Sequence, residues 1–198
     1  VDIEIKVEEQ ATGELSAGAG AGSSGATIQA GINEKNFLGK GLNLNSSLIL
    51  GTQKVRGLIS YYDPDYKNSG NGLKGSFFIE GNNYENSDYE NTVVGSSFST
   101  LYEIYDKVFF KPGISIDHDS VTIGSNASTA LKKRAGNYYT SKIFYELVKN
   151  TKNREIQTTD GYTFGFGQDL SLISDIQYIN NSIFGSYFKE YKENFVGS

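Results

Sequence analysis

The chain has 198 residues, enough for one domain, and a net charge of −5 from 18 Lys+Arg and 23 Asp+Glu. That balance offers a phosphate backbone nothing to hold, so no nucleic-acid partner is expected. Cysteine is absent, which removes disulfides, thiol catalysis and Cys-based zinc sites together.

A mean hydropathy of −0.40 and a hydrophobic fraction of 37% suit a water-soluble protein, and no apolar run approaches the roughly 20 residues of a spanning helix. A membrane barrel carries its apolar residues at only every second strand position, so hydropathy dilutes its signal. The 23 Gly, 14 Tyr and 12 Phe against 2 Pro favour an aromatic, glycine-rich sheet. Val1-Asp2-Ile3-Glu4 opens in the middle of a strand pattern with no secretory signal. An outer-membrane protein needs such a signal, so the natural N-terminus is expected to lie upstream.

The first residues alternate strictly, Val1, Ile3, Ile5 and Val7 against Asp2, Glu4, Lys6 and Glu8. That predicts a half-buried strand with a charged face suited to water. At Gln10-Ala11-Thr12-Gly13 the composition changes. We divide the chain there into residues 1–11 and 12–198. From Glu14 onward it reads as about ten strands separated by turn signals. Leu15, Ala17, Ala19 and Ala21 alternate with Ser16, Gly18, Gly20 and Gly22 before a turn at Ser23-Ser24-Gly25. Ile28, Ala30 and Ile32 follow, then Leu42, Leu44, Leu48 and Leu50 opposite Asn43, Asn45 and Ser47. Asn on a buried protein face is costly, whereas Asn on a wet lumen is not.

Val55, Ile59 and Tyr61 precede the turn Asp63-Pro64-Asp65, and Leu73, Phe77 and Ile79 follow a glycine-rich stretch. Phe98 and Tyr102 belong to the next strand, Asp106-Lys107 make a tight turn, and Val108, Phe110, Pro112, Ile114 and Ile116 share a face opposite Lys111, Ser115 and Asp117. A polar loop is expected over residues 120–139. Ile143, Tyr145 and Leu147 lead to a turn region over 150–160, and two strands are expected near 162–169 and 176–191. The chain then reaches a turn at Phe195-Val196-Gly197. Short turns on one rim and longer loops on the other are expected of such a barrel, although the 150–160 connection spoils the contrast.

Three motifs invite chemistry and fail its requirements. Gly20-Ala21-Gly22-Ser23-Ser24-Gly25 matches a dinucleotide fingerprint, but a strand pattern follows where a helix must receive the pyrophosphate. Asp63, Asp65 and Asn68 suggest a calcium loop, but Lys67 and Lys74 stand where ligands are required. His118 lies between Asp117 and Asp119, yet alternation puts it on the face opposite both. No catalytic residue, metal ligand or cofactor site is assigned. Tyr61, Tyr62, Tyr84, Tyr102, Tyr105, Tyr138, Tyr139, Tyr187 and Tyr191 sit near strand ends, as aromatic girdles at a membrane surface would. A soluble β-sandwich with a Tyr-rich core is the competing fold.

The stretch Thr12-Gly13-Glu14-Leu15-Ser16-Ala17-Gly18-Ala19-Gly20 and the element Asn36-Phe37-Leu38-Gly39-Lys40-Gly41 resemble the start of the barrel in the Omp85 superfamily, in its BamA-like branch of assembly factors. Asp63-Pro64 is similar to the family's turn before the fifth strand. Lys152-Asn153-Arg154 with Thr159-Asp160-Gly161 resembles its Arg-Asn and Pro-Thr-Asp-Gly turn, with Thr158 where Pro is usual. The resemblance implies an all-β, antiparallel up-and-down transmembrane barrel of sixteen strands. This chain would supply its N-terminal part, preceded in residues 1–11 by the last strand of a POTRA domain. It implies a bacterial outer-membrane location. The implied partners are outer-membrane lipids, unfolded client barrel proteins and accessory assembly lipoproteins, with no enzyme activity and no cofactor.

It also implies a seam beside the first strand, at Glu14, Leu15, Ser16, Ala17, Gly18, Ala19 and Gly20, where a client strand adds. Asn36, Phe37, Leu38, Gly39 and Gly41 form the family turn. An unpaired edge is a template for another strand, and glycine weakens the strand that holds it. The alternatives are an Omp85-type secretion pore and a passive small porin.

Overall fold

The computed structural model describes residues 11–22, 25–154, 156–175, 177–192 and 195–197, with side chains as far as residue 190. The strand expected over residues 1–8 lies outside these, as does most of the Ser23-Ser24-Gly25 turn.

Eleven strands form one antiparallel sheet in which spatial order equals chain order. They are β1 (Gly13–Gly22), β2 (Gly25–Phe37), β3 (Leu42–Gly51), β4 (Lys54–Asp63), β5 (Gly72–Tyr84), β6 (Tyr89–Tyr105), β7 (Val108–Ile123), β8 (Gly136–Asn150), β9 (Asp160–Ser174), β10 (Ile179–Lys192) and the short β11 (Phe195–Gly197). Ten of them reach or exceed the roughly 9–11 residues that cross a bilayer at a tilt. Phe195-Val196-Gly197 is therefore a strand paired with β10, not the turn expected from sequence.

Register explains the composition. The pairs Leu15↔Ile32, Ile28↔Leu50, Leu50↔Val55, Ile59↔Phe77, Ile79↔Val94, Phe98↔Ile114, Ile114↔Ile143 and Leu147↔Phe166 carry one apolar face from strand to strand. These side chains are bare: Leu15 is 83% exposed, Phe77 69% and Ile183 72%. The only buried hydrophobic residues among those described are Val121 and Ala127. A sheet with no packed core and a continuous exposed apolar face has hydrocarbon as its natural solvent, which rules out the sandwich.

The opposite face carries Asn33, Asn45, Ser47, Arg56, Lys74, Ser97, Lys111, Asp117, Lys142 and Asp169, with Arg56 ion-paired to Glu80. It also holds three large residues that alternation does not announce. Phe78, Phe144 and Phe184 each face a glycine directly across the ladder, Gly95, Gly113 and Gly165. Each ring lies where that glycine's Cβ would be, within 2.5 Å of it. An aromatic ring laid over a cross-strand glycine restores the packing that glycine forfeits.

The rims differ from the expectation. Connections at 38–41, 64–71, 106–107 and 151–159 make one rim, here called lower; 52–53, 85–88, 124–135 and 175–178 make the upper. Neither rim is uniformly short. The upper loop is also shorter than residues 120–139, because β7 continues through Val121 and β8 begins at Gly136, with Ser120↔Asn137 and Val121↔Gly136 in register. Its remainder holds one helical turn, α1 (Thr129–Lys132), capped by Ser128 Oγ, and docks on Asp88, whose carboxylate accepts the Asn126 N–H at 2.8 Å.

The tyrosines divide. Tyr61, Tyr102, Tyr145, Tyr162 and Tyr187 stand on the apolar face near the lower rim, with Phe110 and Phe166 each 6.2 Å from Tyr145. Tyr62, Tyr84 and Tyr138 fall on the polar face by the same register, so only part of the expected girdle exists. Tyr191 lies outside the described side chains. His118 is on the apolar face with its ring 4.6 Å from Tyr139, away from Asp117 and Asp119.

Candidate functional site

Among the described residues the sheet ends in two open edges, β1 and β10–β11, and β1 carries the seam residues expected from the sequence. Its register with β2 runs without interruption from Gly13↔Glu34 to Gly22↔Gly25, and no described strand pairs with its other edge. Along an antiparallel strand, alternate residues turn both their N–H and C=O away from the neighbour. Glu14 to Gly20 therefore present a row of unspent donors and acceptors. Ser16, Gly18 and Gly20 lie on the polar face, as the alternation predicts, and Leu15, Ala17 and Ala19 on the apolar one.

The two ends of β1 are held very differently. At the lower rim the Glu34 carboxylate accepts from Thr12 Oγ1 and, at 2.7 Å, from the Asn36 N–H. The Lys35 N–H reaches Thr12 O at 3.5 Å, and Lys35 Nζ stands 3.9 Å from Glu14. Leu15 packs beside Ile32. Beyond Leu15 no β1 side chain is larger than serine. A Cβ at Gly20 would find only Thr27 Oγ1, at 3.6 Å, and one at Gly22 nothing within 4 Å. The strand is anchored by side chains at its lower end, whereas toward its upper end its own side chains add little to the backbone bonds, with Gln29 lying across Gly18.

The turn that follows β2 is the second element. Asn36 builds it: its carbonyl accepts the Gly39 N–H at 2.9 Å and its side-chain Oδ1 the Gly41 N–H at 2.6 Å. Gly39 and Gly41 take left-handed conformations, φ 67° and 68°, which glycine adopts without the penalty other residues meet. Leu38 shares that region at φ 58° and is 71% exposed, at a strain of about 1–2 kcal/mol. Thus Asn36, Gly39 and Gly41, three of the five turn residues, have a visible task, and Glu34 and Thr12 join the turn to β1. Sequence reading missed that pair, because a contact across 22 residues leaves no local signal.

The other turns use their polar residues structurally. Asp63 Oδ1 accepts the Asp65 N–H and Asp65 Oδ1 the Gly70 N–H. Both carboxylates are thus spent on turn geometry, and no group of three potential metal ligands exists among the described residues. Asn153 Oδ1 accepts the Thr159 and Asp160 N–H groups while its Nδ2 donates to Thr159 Oγ1. Gly161, at φ 109°, sits where a Cβ would meet Thr151 O at 2.4 Å. After Gly25, β2 follows directly where a nucleotide site needs a helix.

An antiparallel, sequential sheet of bilayer-length strands with one apolar and one polar face is the wall of a transmembrane β-barrel. Residues 36–198 match the model of the Omp85 superfamily domain, and the chain belongs to that superfamily. Among solved structures it is similar to the crystal structure of BamA from Haemophilus ducreyi lacking POTRA domains 1-3, at 22% identity and a TM-score of 0.72. The likeness covers 93% of this chain and 39% of that one, so the chain spans well under half the length of its structural relative. β1 and most of β2 precede the residues matched by the family model.

Proposed function

We propose that this chain is the N-terminal wall of an outer-membrane barrel that inserts client barrel proteins, with the free edge of β1 receiving the client's strand. The observation that carries this reading is the asymmetry of β1, an anchored lower end followed by an unpaired edge of Ala and Gly. A strand edge in hydrocarbon is tolerable only when something pairs with it. An edge that forms no strong side-chain contacts exchanges partners readily. The activity resides in backbone hydrogen bonds; no covalent bond is made and no cofactor enters. In this reading residues 1–11 end a POTRA domain and residues 12–198 are barrel. The apolar face meets outer-membrane lipid, and accessory lipoproteins dock from the periplasmic side.

The test uses the full-length protein in liposomes, following protease protection or heat-modifiable migration of a client barrel. Gly18→Val with Gly20→Val stiffens β1 and is expected to slow client insertion severalfold while the protein itself remains folded. Unchanged insertion by the folded variant overturns the role assigned to the seam.

A further inference from the structure

A hollow lies on the polar face, three to seven strands away from β1. Gly72 and Ser99 leave a hollow of about 370 Å³ near the lower rim, ringed by Tyr62 on β4, Lys74 on β5, Leu101 on β6, Phe109 and Lys111 on β7, and Glu146 and Val148 on β8. Register accounts for it: Tyr62↔Lys74↔Ser99 and Lys111↔Glu146 place these residues in two adjoining rows on one face.

Asn150 on the edge of this hollow accepts from the Lys152 N–H and Thr163 Oγ1, but four other polar groups around it are unspent. Arg56 is paired with Glu80, and Lys189 with Asp160. Tyr62, Lys74, Lys111 and Glu146 have no hydrogen-bond or ion-pair partner among the described residues, although Lys111 and Glu146 stand directly opposite each other. Tyr62, Lys111 and Glu146 are only half exposed. Convergent unpaired polar groups around an apolar-walled concavity are the usual composition of a binding site. Two ammonium groups and a phenol hydroxyl outnumber one carboxylate, so the complement is an anion.

We propose that this hollow binds an acidic side chain of a polypeptide segment lying along the inner wall. The segment's carboxylate sits between Lys74 and Lys111, an adjoining apolar side chain lies on Phe109 and Val148, and Glu146 accepts a backbone N–H. A lipid is disfavoured as occupant, because its acyl chains would have to lie on the Ser, Asn and Lys surface of the polar face. The proposal is independent of the role of β1.

The experiment uses the full-length protein in nanodiscs and two short fluorescent peptides that differ only in Glu-Phe against Gln-Phe at their centre. The Glu peptide is expected to bind saturably and about fivefold more tightly than its Gln twin, the worth of two partly screened ion pairs. Lys74→Gln with Lys111→Gln should erase that preference, Lys74→Arg with Lys111→Arg should keep it, and Glu146→Gln should strengthen it. Lys54→Gln, on the same face toward the upper rim, should leave it unchanged. Equal binding of the twins, a preference that survives the double Gln variant, or no saturable binding at millimolar peptide each overturns the proposal, leaving a hollow that holds only water.

Discussion

The hairpin β1–β2 and the wall from β5 to β10 share one hydrogen-bonding ladder and differ in what the ladder carries. In the hairpin the facing pairs toward the upper rim are Ala17↔Ala30, Ala19↔Ile28, Ala21↔Ala26 and Gly22↔Gly25. In the wall, Phe78, Phe144 and Phe184 close over Gly95, Gly113 and Gly165 on the polar face, while Phe77, Phe98, Ile114 and Ile143 line the apolar one. Cross-strand side chains give the wall a stabilisation that the small residues of the hairpin largely lack. Lability is written at individual positions and not into the architecture.

The sharpest way to break the contrast is to force a side chain beneath a ring. A Cβ at Gly113 would meet Phe144 Cζ at 2.3 Å and the Phe98 carbonyl at 2.8 Å. Gly113→Val should therefore destabilise the barrel by about 1–3 kcal/mol, the usual range for overpacking, as read from the urea midpoint of the reconstituted protein. Removing the ring comes next. Phe144→Ala uncovers Gly113 and should lose roughly 2 kcal/mol in the same measurement, about half the cost of a fully buried Phe. In the hairpin the opposite sign is expected: Gly20 has room, and Gly20→Val should add up to about 1 kcal/mol through strand propensity. A loss of stability there would contradict the idea that the seam is loose by composition. The smallest effect is local. Glu34→Ala releases Thr12 and Asn36 and should raise hydrogen exchange at the Asn36 amide while the amides of β7 and β8 keep their protection.

Much of this was legible in the chain. Leu15, Ile28, Ile32, Val55, Ile59, Phe77, Ile79, Ile114 and Ile143 were assigned to one face by alternation, and register places them all there. The Asn36 turn is legible through its resemblance to the family's element, and the left-handed Gly39 and Gly41 supply the physical reason for it. The ends of β7 and β8 were not. The expected loop spans residues 120–139, yet β7 runs on to Ile123 and β8 already begins at Gly136, with Ser120 paired to Asn137. The Phe-over-Gly pairs were invisible for another reason. Phe77-Phe78 shows that one ring must break the alternation, but only the pairing of Phe78 with Gly95 shows why it is tolerated, and register is a property of two strands. The Glu34 anchor and the hollow beside Lys111 share this origin, since each is assembled from strands whose meeting the sequence does not announce.

The identity of chain order and strand order has a consequence for how such a wall is made. Every pairing in the sheet joins a strand to the one just before it, so each new strand closes only a short loop and the entropic cost stays low at every step. The wall can grow in the order in which it is synthesised, one hairpin at a time, with no strand waiting for a distant partner. Among the described residues, the outer edge of β1 and the far edge of β10–β11 are left without a partner. In the seam proposed above, β1 accepts a partner after its own wall is built, which is a reason for it to be small, plain and secured at one end.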